Sequence, residues 1–184
     1  RQRQMCIRDS EIADALEAVR RGEMASEDFE TLKSERKKQL PIFTPHATFP
    51  GGRRLNSDAV PSGLSMYDVD HIPAPREFFR EHVAARVGEL GIVLAHVTPS
   101  TEGLRLFFVI PPGMGLEEAQ RWMSHQLGNA AYDQCVKDYA RSSFAVPADY
   151  ILYLNEAELF REREAQPAIR NEGACAQTAS FLSL

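Results

Sequence analysis

SGLSMYDVD, residues 62–70, reads as a β-strand that ends in two carboxylates, and the stretches after it decide the fold. Pro73 and Pro75 open a helix over residues 75–90, with Phe79, Val83, Val87 and Leu90 on one side, and Gly91 closes it. The apolar run 92–97 predicts a second strand, and LRLFFVI, residues 104–110, a third. The short loop TPSTEG, residues 98–103, joins them as a hairpin. After a turn over 111–115, Leu116, Ala119, Trp122, Met123, Leu127 and Ala130 recur at helical spacing over 116–131. Residues 144–146 and 150–154 each suit an extended strand. The order β, α, β, β, α, β predicts an α+β domain with an RNA-recognition-like, ferredoxin-like core. That architecture hosts many functions, so chemistry has to be read from side chains.

An N-terminal helical extension precedes this core. Ile12, Ala15, Leu16 and Val19 mark one helix ended by Gly22, and Phe29 and Leu32 mark a second over 26–38, stopped before Pro41. Its last turns carry the basic run KSERKKQ, residues 33–39. LPIFTPHATFPGGRR, residues 40–54, is punctuated by Pro and Gly and reads as irregular. Residues 1–10 carry no pattern leading into a fold and are expected to be a non-native leader. The expected division is 1–10 leader, 11–155 folded domain, and 156–184 a charged helix with a tail or truncated linker.

The chain has 184 residues, 43% of them hydrophobic and 26% charged, which suits a soluble domain with a real core. No apolar run approaches the roughly 20 residues that cross a bilayer. Cys6, Cys135 and Cys175 are far apart and odd in number, which argues against a disulfide framework or zinc site and for a cytoplasmic setting. A net charge of −5 argues against broad gripping of duplex DNA, while leaving room for a local template groove.

Three segments carry possible chemistry. Asp68 and Asp70 are two apart on a strand, so both carboxylates project from one face. Such oxygens suit hard divalent cations, and the pair is expected to repel itself in the metal-free protein. A solvated turn or a helix cap would use the same residues. Thr98 to Gly103 places small hydroxyls and a glycine before Arg105, a composition that suits phosphate, and equally a simple hairpin with Gly103 at positive φ. Asp133 and Asp138 each offer a third carboxylate, and Arg141 a donor for triphosphate. The five histidines lack zinc-ligand spacing.

Together SGLSMYDVD, TPSTEGLRLFF and KDYARSSF, with the lead-in LPIFTPHATF, resemble the primase–polymerases of the archaeo-eukaryotic primase superfamily. The branch they are most similar to stands at the N-terminus of VirE-like and helicase-linked proteins of bacterial mobile elements. The resemblance implies a DNA primase or polymerase that transfers nucleotides along a single-stranded DNA template, using Mg2+ or Mn2+ and nucleoside triphosphates. It places Asp68, Asp70 and Asp138 as catalytic metal ligands, with Asp138 preferred over Asp133, and Ser100, Thr101, Gly103 and Arg105 at the incoming nucleotide. It also implies a helicase domain in the longer protein. Many superfamily members carry a histidine where this chain has Arg105. The alternative is a catalytically inactive nucleic-acid-binding or protein-docking module of the same fold.

Overall fold

A computed structural model describes residues 11, 12, 14–128 and 138–163 of the chain. Helical residues 11, 12 and 14–20 form α1, and Ser26–Lys37 form α2. Ile12, Ala15, Leu16 and Phe29 pack between them as a small core of their own. The irregular lead-in contains two short strands, β1 (Ile42–Phe43) and β2 (Ala47–Thr48), and β3 (Val60–Pro61) pairs with β2.

The central sheet is built from β4 (Leu64–Asp70), β5 (Ile92–Val97), β6 (Gly103–Val109) and β8 (Ile151–Leu154). Between β4 and β5, α3 (Pro75–Phe78) continues through a π-helical turn and a 3₁₀ turn to Arg86. α4 (Leu116–Gln126) follows β6, ending before the position 131 expected from its periodicity; residues 129–137 lie outside the described residues. β7 (Ser143–Phe144) pairs with β1, and α5 (Glu156–Leu159) starts where the Asn155 side chain accepts the Glu158 N–H. The fold is therefore α+β with a four-stranded antiparallel sheet. Among the described residues no helix is long and apolar enough to cross a membrane.

The strand order is β4-β6-β5-β8. β6 lies between β4 and β5, as the first half of a split βαβ arrangement requires. The last strand departs from the ferredoxin-like expectation, because β8 pairs with β5 and not with the free edge of β4. That edge is already occupied by side chains. His46 Nε2 accepts the Met66 N–H at 3.1 Å, and Gln120 Nε2 donates to the Met66 carbonyl at 2.6 Å and to Ser65 Oγ at 2.5 Å. Capping an edge with side chains satisfies its backbone groups as a neighbouring strand would.

The two sheet faces bury different things. Tyr67, Val69, Leu104, Leu106 and Phe108 face α3 and α4, against Phe79, Val83, Leu116, Ala119 and Met123. Each such side chain contributes roughly 1.5–3 kcal/mol by leaving water. Leu64, Met66 and Phe107 belong to a smaller core on the other face, and the Phe43 ring stacks on Phe107 at 5.4 Å. The β1–β7 ribbon thus covers the face that carries Asp68 and Asp70.

Two histidines are buried in this layer. His46 donates from Nδ1 to the Asp138 carbonyl at 3.0 Å while Nε2 accepts from Met66, a pairing that only the neutral ring can make. Burial above all pushes its pKa down to about 4; Arg141 acts in the same direction, and Asp138 and Asp68 oppose it. His96 donates from Nδ1 to the Val97 carbonyl at 2.8 Å and is also lowered to about 4 by burial, with Arg105 adding to the shift. In the unfolded chain both titrate near 6.5, so below that pH the unfolded state binds protons that the folded state refuses. Stability is complete above about pH 6.5 and falls toward pH 4, by up to about 3 kcal/mol for each ring. Urea melts between pH 7 and 4.5 should show a falling midpoint, and a flat profile between pH 6.5 and 4.5 would contradict the buried neutral histidines.

Candidate functional site

Register places Asp68, Arg105 and His96 directly opposite one another on β4, β6 and β5, so they share one face. Arg105 donates from Nε to Asp68 Oδ1 at 2.5 Å and from Nη2 to Asp68 Oδ2 at 2.7 Å. Its Nη1 donates to Ser143 Oγ at 2.9 Å. The arginine side chain is 13% exposed and the aspartate side chain 5%, so this is a nearly buried, two-pronged ion pair. The expectation that Asp68 and Asp70 repel each other needs correction, because Arg105 neutralises Asp68. His96 Nε2, next in the row, is buried and has no hydrogen-bond partner among the described residues.

Asp70 ends β4 opposite Gly103 and is exposed. The sequence alternative of a hairpin with Gly103 at positive φ is half right. The loop is a tight turn, with Thr101 N–H on the Thr98 carbonyl at 2.8 Å and Thr98 N–H on the Gly103 carbonyl at 2.9 Å. Thr101, however, takes the left-handed conformation at φ 61°. Gly103 leaves room for its neighbours: a Cβ there would lie 2.8 Å from Thr98 Oγ1 and 3.3 Å from Asp70 Oδ1, so the Thr98 side chain would have to shift. Ser100 Oγ and Thr98 Oγ1 are 3.2 Å apart, so part of the loop's polar capacity is spent inside the turn. His71, just beyond Asp70, also has positive φ, as a tight exit from the strand demands.

Asp138 enters through its backbone: its carbonyl accepts from His46, while its Oδ1 caps its own turn by accepting the Ala140 N–H at 2.8 Å. Arg141 lies close enough to His46 to lower its pKa. Asp133 lies outside the described residues. Among the described residues no group of three or more His, Cys, Asp or Glu side chains is placed to hold a metal ion. The chemistry of Asp68 and Asp70 fits one hard divalent cation, two oxygen donors from one strand face, provided Arg105 gives up Asp68. Ser143 and the two buried histidines went unassigned to this site by sequence reasoning. Lys37 comes from the end of α2, and its amine is lowered by burial, then by Lys33 and Arg105, with Glu30 and Asp70 opposing. Only the basic run 33–39 signalled it.

Residues 35–147 match the model of the BT4734-like, N-terminal domain family. The chain belongs to this family. The matched stretch contains Lys37, His46, Asp68, Asp70, His96, Arg105, Asp138, Arg141 and Ser143, and stops before β8. The polar face is therefore carried wholly by the BT4734-like segment. No curated protein and no solved structure matches the chain.

Removing either partner of a buried pair strands the other charge, at a cost of about 3–5 kcal/mol. Asp68→Asn and Arg105→Ala should each lower urea-unfolding stability by that order. Asp70→Asn, at an exposed position, should stay within about 0.5 kcal/mol of the parent. Equal, small effects at all three would mean that the pair does not hold the face together.

Proposed function

We propose that this BT4734-like domain is a primase–polymerase-like nucleotidyltransferase whose site is the face around Asp68, Asp70 and Arg105. The observation that carries the reading is the strand register, which sets both aspartates and Arg105 on one face beside the Thr98–Gly103 turn. The sequence resemblance to primase–polymerases supports it from a separate direction.

In the proposed reaction a strand's 3′-hydroxyl oxygen forms a bond to the α-phosphorus of a nucleoside triphosphate. The bond to the bridging oxygen of the β-phosphate breaks, pyrophosphate leaves, and the hydroxyl proton passes to water. A magnesium or manganese ion held by Asp68 and Asp70 would lower the pKa of that hydroxyl and neutralise charge on the α-phosphate. Arg105 turns its fork from Asp68 to the phosphates, a planar group well matched to them, and Arg141 adds a second cation. Ser100 and Thr101 orient the nucleotide from the turn, and Gly103 keeps the approach beside Asp70 open. Asp138 is left out of the donor set because the described residues gather no third carboxylate with Asp68 and Asp70. Single-stranded DNA is the proposed template, and a helicase domain in the longer protein the proposed neighbour.

A second reading is a nucleic-acid-binding or docking module without turnover. It is favoured by one observation: both Asp68 oxygens are already held by Arg105.

Thermal melts separate the two. Manganese with a nucleoside triphosphate at about 100 times its dissociation constant should stabilise the domain by about 2.7 kcal/mol. Asp70→Asn, which folds normally on this account, should lose most of that gain. No stabilisation of the parent protein by any of the four common triphosphates with manganese would favour the module.

A further inference from the structure

A groove of about 620 Å³ runs between the end of α2 and the outer side of the β1–β7 ribbon. One wall carries Lys33, Lys37 and Lys38, and the floor is made by Ile42, Phe144 and Ser142. Ile42 and Phe144 are cross-strand partners, so they share one side of the ribbon. Phe43 and Ser143, the other register pair, point the opposite way and reach Phe107 and Arg105. A single two-stranded ribbon thus separates the groove floor from the Asp68–Arg105 pair.

The chemistry of this groove is unusual for the chain. The net charge is −5, yet three ammonium groups stand along one wall. Lys33 is satisfied by Glu30, which also lines the groove, and lies over the Phe29 ring at 5.0 Å. Lys37 and Lys38 form no ion pair among the described residues. Lys37 is partly withdrawn from water and crowded by Lys33 and Arg105, so an anion there would relieve it. The floor is apolar where the wall is cationic, and Ile42 is 51% exposed. Phosphates on a basic wall with bases laid on apolar or aromatic side chains is the way proteins hold single-stranded nucleic acid.

We infer that the groove between α2 and the β1–β7 ribbon binds single-stranded nucleic acid, with its phosphates on Lys37 and Lys38 and a base on Phe144 and Ile42. This rests on the proposed function for the strand's role as template, and adds the surface that holds it, apart from the nucleotide contacts of the Asp68 face. The strand is held through charge and stacking, with no requirement for a metal ion, and its path passes one ribbon away from Arg105.

The test is fluorescence anisotropy of a labelled oligothymidylate against the whole 184-residue chain, across a series of salt concentrations without manganese. The Lys37→Gln, Lys38→Gln double variant should bind about tenfold more weakly, with the slope of log affinity against log salt shallower by about 1.4, or about 0.7 for each lost phosphate contact. Phe144→Leu should weaken binding at least about fivefold and leave that slope unchanged, because stacking releases no counterions. Circular dichroism of each variant confirms that it is folded before titration. Manganese–triphosphate stabilisation should survive in Phe144→Leu, whose side chain lies on the groove side of the ribbon, which keeps a failure here distinct from a failure of the nucleotide site. The inference is overturned if the parent chain binds no oligonucleotide at low salt. It is equally overturned if the lysine variant binds it as well as the parent does.

Discussion

The pairing of Asp68 with Arg105 is the constraint on which the polar face depends. A carboxylate placed in a nearly dry strand interior is costly without a partner, and the register supplies one directly across the ladder. Because the guanidinium uses a fork, it also fixes its own orientation, and its third nitrogen reaches Ser143 on the ribbon. Strand, neighbouring strand and covering ribbon are thereby tied through one cation. The same bond decides what the site can do. Asp68 is unavailable to a cation while Arg105 holds it, so any chemistry there begins with Arg105 finding a better anion. On the proposed function, the phosphates of a nucleotide would be that anion.

The β1–β7 ribbon has two sides with different surroundings. Alternation of side chains puts Phe43 and Ser143 against the sheet and Ile42 and Phe144 outward. α2 supplies the basic side chains on the outer surface, and Lys37 at its end is close enough to feel Arg105 and Asp70. The helical extension is thus part of the site's electrostatics, although its own hydrophobic core is separate.

Much of the fold was legible in the residues. Residues 92–97 form β5 as their apolar run predicts, and SGLSMYDVD contains β4, because short segments bearing apolar residues between Gly and Pro breakers leave few alternatives. The placement of β8 was not legible. It turns on His46 and Gln120, two polar side chains from distant segments that close the edge of β4, and no local pattern announces such long-range hydrogen bonds. In the site, the shared face of Asp68, Asp70 and Arg105 follows from strand period and topology, so it could be foreseen. The bond between Asp68 and Arg105 depends on the register to the residue, and two aspartates in sequence read more readily as repelling neighbours than as one paired and one open. His46 and His96 are invisible as core residues from spacing alone, since burial is decided by the ribbon that covers them.

A double-mutant cycle on Asp68→Asn and Arg105→Gln tests the central claim most directly, because it isolates the term between the two side chains from whatever each does alone. Measured by urea unfolding at pH 7, the coupling energy should be about 2–3 kcal/mol, with the double variant more stable than the sum of the single losses implies. A coupling within about 0.5 kcal/mol of zero would mean the two side chains act independently. The face would then not be organised by their bond.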